Sequence, residues 1–136
     1  MLEVYSTNTT AAIGAPIALS NVSLLKGTST QLQGVSSIQI NKCGVYEVSV
    51  SATATADTAG AIIIQLRKDG VLQPQALTST TAADITSQHA LGFTTLVQVT
   101  HDNYSNCICS TPTIIDFVNT GVETTYNHIN VTVVRI

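Results

Sequence analysis

The sequence of 136 residues predicts an all-β protein built as a β-sandwich of the jelly-roll type. In several segments apolar residues alternate with polar ones, which is typical of strands with one buried and one solvated face. Turn residues separate these short segments at intervals of about 8 to 12 residues, and no segment shows a competing helical period. We therefore expect residues 1–136 to form one jelly-roll domain, with residues 1–10 available as an extended N-terminal arm.

The first third of the chain contains short strands. Two apolar pieces, Pro16–Leu19 and Val22–Leu25, lie between glycine-containing turns. A further strand is predicted over Ser36–Asn41, because its two isoleucines fall on the same face of an extended chain.

The middle third has the clearest pattern. Over Tyr46–Ala56, apolar residues at even positions alternate with Glu, Ser and Thr at odd positions. After a break at residues 57–60 the alternation resumes over residues 62–66 and then meets Asp69-Gly70. That dipeptide predicts a type I′ hairpin, because Asp tolerates and Gly favours a positive φ.

The last third continues the pattern with the alternating segment Leu91–Val99, a compact apolar run over Thr113–Val118, and a closing strand over Asn127–Ile136. The apolar parity of the four clearest strands predicts the core. Its expected members are Val48, Val50, Ile64, Leu66, Phe93, Val97, Val131 and Val133.

Four segments in this order resemble the landmarks of the tumour-necrosis-factor (TNF)/C1q-like jelly-roll family, in the short collagen-free form of phage-encoded and bacterial surface proteins. They are TTAAIGAPIALSN, GVSSIQINKCGVYEVSVSATA, IIIQLRKDGVLQP and the terminal HINVTVVRI. The segment HDNYSNCICSTPT departs from the family pattern, so an interaction specific to this protein is expected there.

The resemblance implies a homotrimer with one sheet of each subunit packed around the threefold axis. Apolar side chains on the nominal outer faces of strands agree with this, because a monomer has little reason to expose them. The candidates for subunit contacts are Ile63, Leu96, Val134 and Ile136.

The charge content excludes several partners. Only 10% of the residues are charged, and five Lys and Arg against eight Asp and Glu give a net charge of −3, which does not favour nucleic acid. No apolar run is long enough to span a membrane. The N-terminus, MLEVYSTNTT, does not resemble a secretory signal, so we expect synthesis in a host cytoplasm and release in an assembled particle.

No motif predicts catalysis, a cofactor or a metal. The sequence has no nucleophile elbow, zinc-protease motif or phosphate loop. The histidines His89, His101 and His128 lie on separate segments, and a ring of symmetry-related histidines on a trimer axis is the functional alternative to a structural role. For Cys43, Cys107 and Cys109 we expect buried, reduced thiols, with a disulfide from Cys43 or a metal site as alternatives.

The most plausible function is therefore that of a non-enzymatic trimeric accessory of a phage virion, as a capsid decoration or head fibre. A receptor- or carbohydrate-binding module and a bacterial surface or spore-coat component are the alternatives. The expected partners are other virion or surface-layer proteins, with a host-surface glycan as a further one. Attachment is expected through the N-terminal arm, by Glu3 and Tyr5, or through the loop around Asn103–Pro112, by Asn103, Tyr104 and Asn106.

Overall fold

The computed structural model describes the backbone of residues 1–100 and 108–136, and the side chains of residues 1–100 and 112–136. Ten strands follow one another in this part of the chain. They are β1 (Leu2–Ala11), β2 (Asn21–Leu25), β3 (Thr30–Gln33), β4 (Ser37–Lys42), β5 (Gly44–Ala56), β6 (Gly60–Lys68), β7 (Val71–Ala82), β8 (His89–Val99), β9 (Ile108–Asn119) and β10 (Thr124–Arg135).

The strands form two antiparallel sheets of five, which confirms the predicted all-β jelly roll. The front sheet has the order β2-β1-β10-β5-β8, and the back sheet has the order β3-β4-β9-β6-β7. The chain crosses from one sheet to the other after β2, β4, β5, β7, β8 and β9. No helix in the described part of the chain is long and apolar enough to cross a membrane.

The core lies between the two sheets and follows the period-two pattern of the sequence. On β5 every even residue from Tyr46 to Ala56 is buried. Seven of the eight expected core residues are buried, and the eighth, Phe93, is partly buried and packs against the cluster. Phe93 is less covered because β8 is an edge strand, and its ring lies 6.3 Å from that of Phe117.

The predicted hairpin joins β6 to β7. Lys68 pairs with Val71, and both central residues have a positive φ, 50° for Asp69 and 82° for Gly70. The Asp69 carboxylate also accepts a hydrogen bond from the Ile114 amide at 2.9 Å, which ties the turn to β9.

The N-terminal segment is not an irregular arm free of core contacts, so that expectation is wrong. β1 begins at Leu2 and pairs with β10 on one side and β2 on the other. Leu2, Val4 and Ser6 are buried. The threonines of MLEVYSTNTT hid the alternation, because threonine occurs both on the solvated face of a strand and in irregular segments.

The two apolar pieces of the first third differ in environment. Ile17 and Leu19 are buried, although Pro16 contributes only an isolated bridge to Val118. The second piece, β2, is an edge strand whose five residues are all exposed.

Cys43 lies at the corner where the chain passes from β4 to β5, and it is disulfide-bonded. The expectation of a reduced thiol is therefore wrong for Cys43. The other two cysteines of the sequence are Cys107 and Cys109. Cys107 and the side chain of Cys109 lie outside the described residues.

Candidate interaction surfaces

The topology places the connections at two opposite ends of the sandwich. The basal end contains Met1, the turn at residues 26–29, the β4–β5 corner, the Asp69-Gly70 turn, the ends of β8 and β9 that flank residues 100–107, and Ile136. The distal end contains the loops at residues 12–20, 34–36, 57–59, 83–88 and 120–123.

The outer face of the front sheet carries two carboxylates, Glu3 and Glu47, among polar and small apolar side chains. Its cross-strand rows are Glu3–Thr132–Ser49–Thr94, Tyr5–Asn130–Ser51–Gly92 and Thr7–His128–Thr53–Ala90. The Ser49 and Thr94 hydroxyls are hydrogen-bonded at 3.2 Å, so part of the polar surface is already satisfied within the subunit. A flat face of small side chains of this kind can pack closely against another protein surface.

The four candidates for subunit contacts do not lie on one surface. Val134, Glu47 and Leu96 form one row across the outer face of the front sheet, and the Leu96 side chain is 58% exposed. Ile136 follows β10 at the basal end and is 73% exposed. Ile63 lies on the back sheet, opposite Ser79, and is only partly exposed.

A cleft of about 320 Å³ opens between the edge strands β7 and β8. β7 bulges beside the cleft, where its residues 73–76 face the single residue Leu66 of β6. Leu66, Ala76, Leu96 and Val97 line its apolar part, and the polar part consists of Lys68, Gln73, Gln75, Thr95, Gln98 and Thr100. The Lys68 ammonium donates to the Gln98 carbonyl at 2.8 Å and so links the two sheets at the basal end.

The attachment candidates that the structure describes are part of β1. The Glu3 carboxylate accepts a hydrogen bond from Ser23 at 2.6 Å, and Tyr5 lies between Asn21 and Asn130 on the outer face of the front sheet. Asn103, Tyr104 and Asn106 lie outside the described residues. Val99 and Ile108, which flank that segment, are at the basal end.

The titratable groups do not form a catalytic constellation among the described residues. No group of three or more metal-ligating side chains occurs in that part of the chain. His128 lies on the outer face of the front sheet. His89 lies on the inner face, as Leu91 does two residues later, so the two imidazoles are on opposite faces. His101 lies outside the described residues.

The ion pair between Arg67 and Asp116 has a structural geometry. It joins neighbouring residues of β6 and β9 through two hydrogen bonds, with Arg67 Nε 2.9 Å from Asp116 Oδ1. The bond to Asp116 raises the pKa of Arg67. Because both members are committed to each other, the pair offers no free acid or base.

Two charged or polar groups outside this pair were not identified from the sequence. In the distal loop, Asp84 accepts hydrogen bonds from the Ser87 and Thr86 amides and hydroxyls, which lower its pKa to about 2. Burial of Tyr126 raises the pKa of its hydroxyl well above the ordinary value. Sequence spacing could have suggested the Asp84 turn, because Asp followed by Thr and Ser is typical of Asx turns.

No protein-family model matches the chain, and no curated protein matches it. Solved structures do. The PRD1 vertex protein P5 is 15% identical with a TM-score of 0.61, over 99% of this chain and 95% of its own. Eiger TNF from S. frugiperda is 9% identical with a TM-score of 0.67, over 99% and 92%. The globular domain of zebrafish complement 1qA is 9% identical with a TM-score of 0.59, over 96% and 92%.

These similarities define the class of protein: the chain has the TNF/C1q-like jelly-roll fold, as the resemblance of its sequence predicted. The likeness to P5 agrees with the short phage-encoded form of that fold. At identities of 15% or less, the similarity is one of fold, and the function is argued from the surfaces.

Proposed function

We propose that this protein is a homotrimeric, non-enzymatic accessory component of a phage virion. The observation that carries the proposal is the similarity to a vertex protein over almost the whole of both chains. The outer face of the front sheet supports it, because its small, mostly uncharged side chains suit close packing and offer no reactive group. Glycan binding and a place on a bacterial or spore surface stay predictions.

In the proposed trimer, the outer face of the front sheet is covered by a neighbouring subunit. Leu96 and Val134 flank Glu47 on that face, and Leu96 is among the more exposed large apolar side chains of the chain. Covering Leu96 stabilises the assembly by about 1 to 2 kcal/mol per subunit. A cyclic arrangement covers such a face without generating an open filament.

This arrangement changes the roles proposed for the N-terminal residues. Tyr5 lies on the same face as Leu96, so we assign it to subunit contacts rather than to attachment. Deleting residues 1–8 would remove most of β1 and is no test of attachment, because Leu2 and Val4 belong to the core. Point substitutions on the surface are needed instead.

We predict that the purified protein is a trimer and that Leu96→Glu dissociates it. The new carboxylate would lie in the subunit contact directly opposite Glu47, and burial together with like-charge repulsion would cost several kcal/mol. Light scattering coupled to size exclusion should give about three times the chain mass of 14.2 kDa for the wild type and a smaller mass for the variant.

Val35→Glu is the matched control. Val35 is 63% exposed, close to the 58% of Leu96, but lies in the β3–β4 turn at the opposite edge of the molecule. This variant should stay trimeric. A monodisperse wild-type monomer at micromolar concentration would refute the proposed assembly.

A separate experiment tests whether the protein is a component of the particle. Purified virions of the phage that encodes the chain should contain it in a fixed ratio to the capsid protein by mass spectrometry. Absence of the protein from washed virions would refute the accessory role.

A further inference from the structure

The four edge strands of the two sheets, β2, β8, β3 and β7, differ in how well they are protected from pairing with another chain. A free edge presents unpaired main-chain amides and carbonyls, and short length, a bulge, proline or charged side chains protect it. β2 and β3 are only five and four residues long. β7 contains Pro74 and a register shift opposite Leu66. Three of these four edges therefore have a recognisable protection.

The edge strand β8 has none of these protections. It is 11 residues long and contains no Pro, Lys, Arg, Asp or Glu. It pairs with β5 in one continuous register, from Gly44 opposite Val99 to Ala54 opposite His89. A regular, uncharged edge of this length is a ready template for a further strand.

The hydrogen bonds around β5 show which main-chain groups of β8 are free. The Ile136 amide donates to the Val45 carbonyl at 2.8 Å, so the main-chain groups of Val45 point towards β10. Gln98 lies opposite Val45. In such a pair both residues point away from each other, so the amide and carbonyl of Gln98 point away from β5. The Lys68 ammonium reaches this carbonyl at 2.8 Å from the back sheet, which agrees with that direction.

The same direction recurs at every second residue of β8. The main-chain groups of Leu96 and Thr94 therefore also point to the free edge. Among the described residues, neither of them has a main-chain hydrogen bond to a group outside the sheets. The edge from Thr94 to Gln98 is about 14 Å long, at about 3.4 Å per residue. Lys68 occupies only the carbonyl at its basal end.

The cleft between β7 and β8 lies against this edge. Leu96 and Gln98 of β8 line one side of the cleft, and Gln73 and Gln75 of β7 line the other. Because β7 forms a second wall, the cleft admits a single extended chain rather than the edge of another folded sandwich. Its volume of about 320 Å³ lies at the lower end of the range for ligand pockets, about 300 to 1,000 Å³.

The lining of the cleft suits an uncharged segment with alternating apolar and polar side chains. The buried side chains of Leu66, Ala76 and Val97 form an apolar floor, and the glutamines of the walls are neutral. Lys68 lines the cleft, and Glu47 lies on the neighbouring strand β5. These two charges have opposite signs, so they favour neither an acidic nor a basic partner.

We propose that the free edge of β8 binds an extended peptide segment of another protein as an added strand of the front sheet. Main-chain hydrogen bonds to Thr94, Leu96 and Gln98 provide the affinity, and aliphatic side chains at every second position of the segment enter the apolar floor of the cleft. The inference does not depend on the proposed virion function. It concerns the edge of the front sheet, whereas the proposed subunit contact concerns its outer face.

The probe is the blocked peptide acetyl-Thr-Val-Thr-Val-Thr-Val-Thr-amide, which has the alternation that the cleft requires. Titration calorimetry should show that it binds the wild-type protein. Two control peptides carry N-methyl groups on all valine amides or on all threonine amides. Because the amides of every second residue point to the same edge of a strand, only one of these two sets faces β8. One control peptide should therefore lose binding, and the other should keep it.

Gln98→Pro removes an amide from the free edge and puts a proline ring in its place. Ala90→Pro is the matched control, because the Ala90 amide also points to the free edge but Ala90 does not line the cleft. We expect Gln98→Pro to bind the peptide at least about tenfold more weakly than the wild type, and Ala90→Pro to bind within about twofold of it. Thr95→Phe, which narrows the cleft without removing an amide, should also weaken binding. Circular dichroism and light scattering establish that each variant is folded and has the assembly state of the wild type.

Hydrogen exchange tests the free edge without a ligand. The amides of Leu96 and Gln98 should exchange quickly, those of Thr95 and Val97, which face β5, should exchange slowly, and the peptide should slow the first pair. Slow exchange of Leu96 and Gln98 without the peptide would show that a neighbouring subunit already covers the edge, and would overturn the proposal. Equal binding of both N-methylated peptides, undiminished binding by Gln98→Pro, or no wild-type binding at about 1 mM peptide would overturn it as well.

Discussion

Two buried tyrosines place their hydroxyl groups in different environments. Both side chains are fully buried in the core. The Tyr46 hydroxyl donates to the Lys42 carbonyl at 2.7 Å, which braces the corner between β4 and β5. The Tyr126 hydroxyl makes no hydrogen bond of ordinary geometry with any described residue, although the Thr124 side chain partly offsets the rise in its pKa.

Removal of each hydroxyl should therefore have a different effect. We predict that Tyr46→Phe lowers the free energy of unfolding by about 1 to 2 kcal/mol, because the Lys42 carbonyl loses its donor. Tyr126→Phe should change it by less than about 1 kcal/mol, and could raise it, because a poorly satisfied buried hydroxyl is removed. Urea unfolding of both variants is the measurement, and an equal loss in the two would contradict the assignment.

At the scale of the elements, one asparagine holds three chain segments together at the distal end. Asn119, the last residue of β9, is fully buried. Its side-chain amide donates to the Ala11 and Val122 carbonyls, each at 2.8 Å, and its carbonyl accepts from the Gly121 amide at 3.0 Å. It thus joins the end of β1 to the turn before β10.

We predict that Asn119→Ala destabilises the protein by about 2 to 3 kcal/mol, because the Ala11 carbonyl and the Gly121 amide lose the Asn119 side chain as a partner, while the Val122 carbonyl keeps the Thr124 hydroxyl. Asn41→Ala is the matched control. Its side chain also makes hydrogen bonds, with Gln39 and the Thr28 carbonyl, but water can replace these at a partly exposed position. Thermal unfolding should show a larger loss of stability for Asn119→Ala than for Asn41→Ala. A similar loss in both variants would refute the proposed role of Asn119 in holding the three segments together.

The sequence predicted the strands and turns whose conformation depends on residues close together in the chain. The alternation over β5 and the Asp69-Gly70 turn both report local geometry, and both are present as expected. β1 was not recognised as a sheet strand, because threonines fill its solvated face. Asn119 was not recognised either, since its partners lie up to 108 residues away and only the folded chain brings them together.

The proposed interaction surfaces were only partly predictable for the same reason. The sequence predicted Leu96 and Val134 as outer-face residues because parity alone assigns them. It did not place Ile63 on the other sheet.

At the scale of the whole molecule, the disulfide of Cys43 ties the stability of the fold to its redox environment. The sequence has two other cysteines, Cys107 and Cys109, and we propose that one of them is the partner. Closing a loop of roughly 65 residues stabilises a protein by about 4 kcal/mol in the chain-entropy model. A reducing cytoplasm disfavours such a bond, whereas an oxidising environment preserves it.

We predict that Cys43→Ser lowers the free energy of unfolding by up to about 4 kcal/mol and that a reducing agent destabilises the wild type to a similar extent. The same reagent should not change the stability of the variant, because the variant has no Cys43 disulfide to reduce. Cys107→Ser and Cys109→Ser, tested separately, identify the partner: only the variant lacking it should reproduce the loss. Equal stability of the oxidised and reduced wild type would show that the bond contributes nothing to the fold.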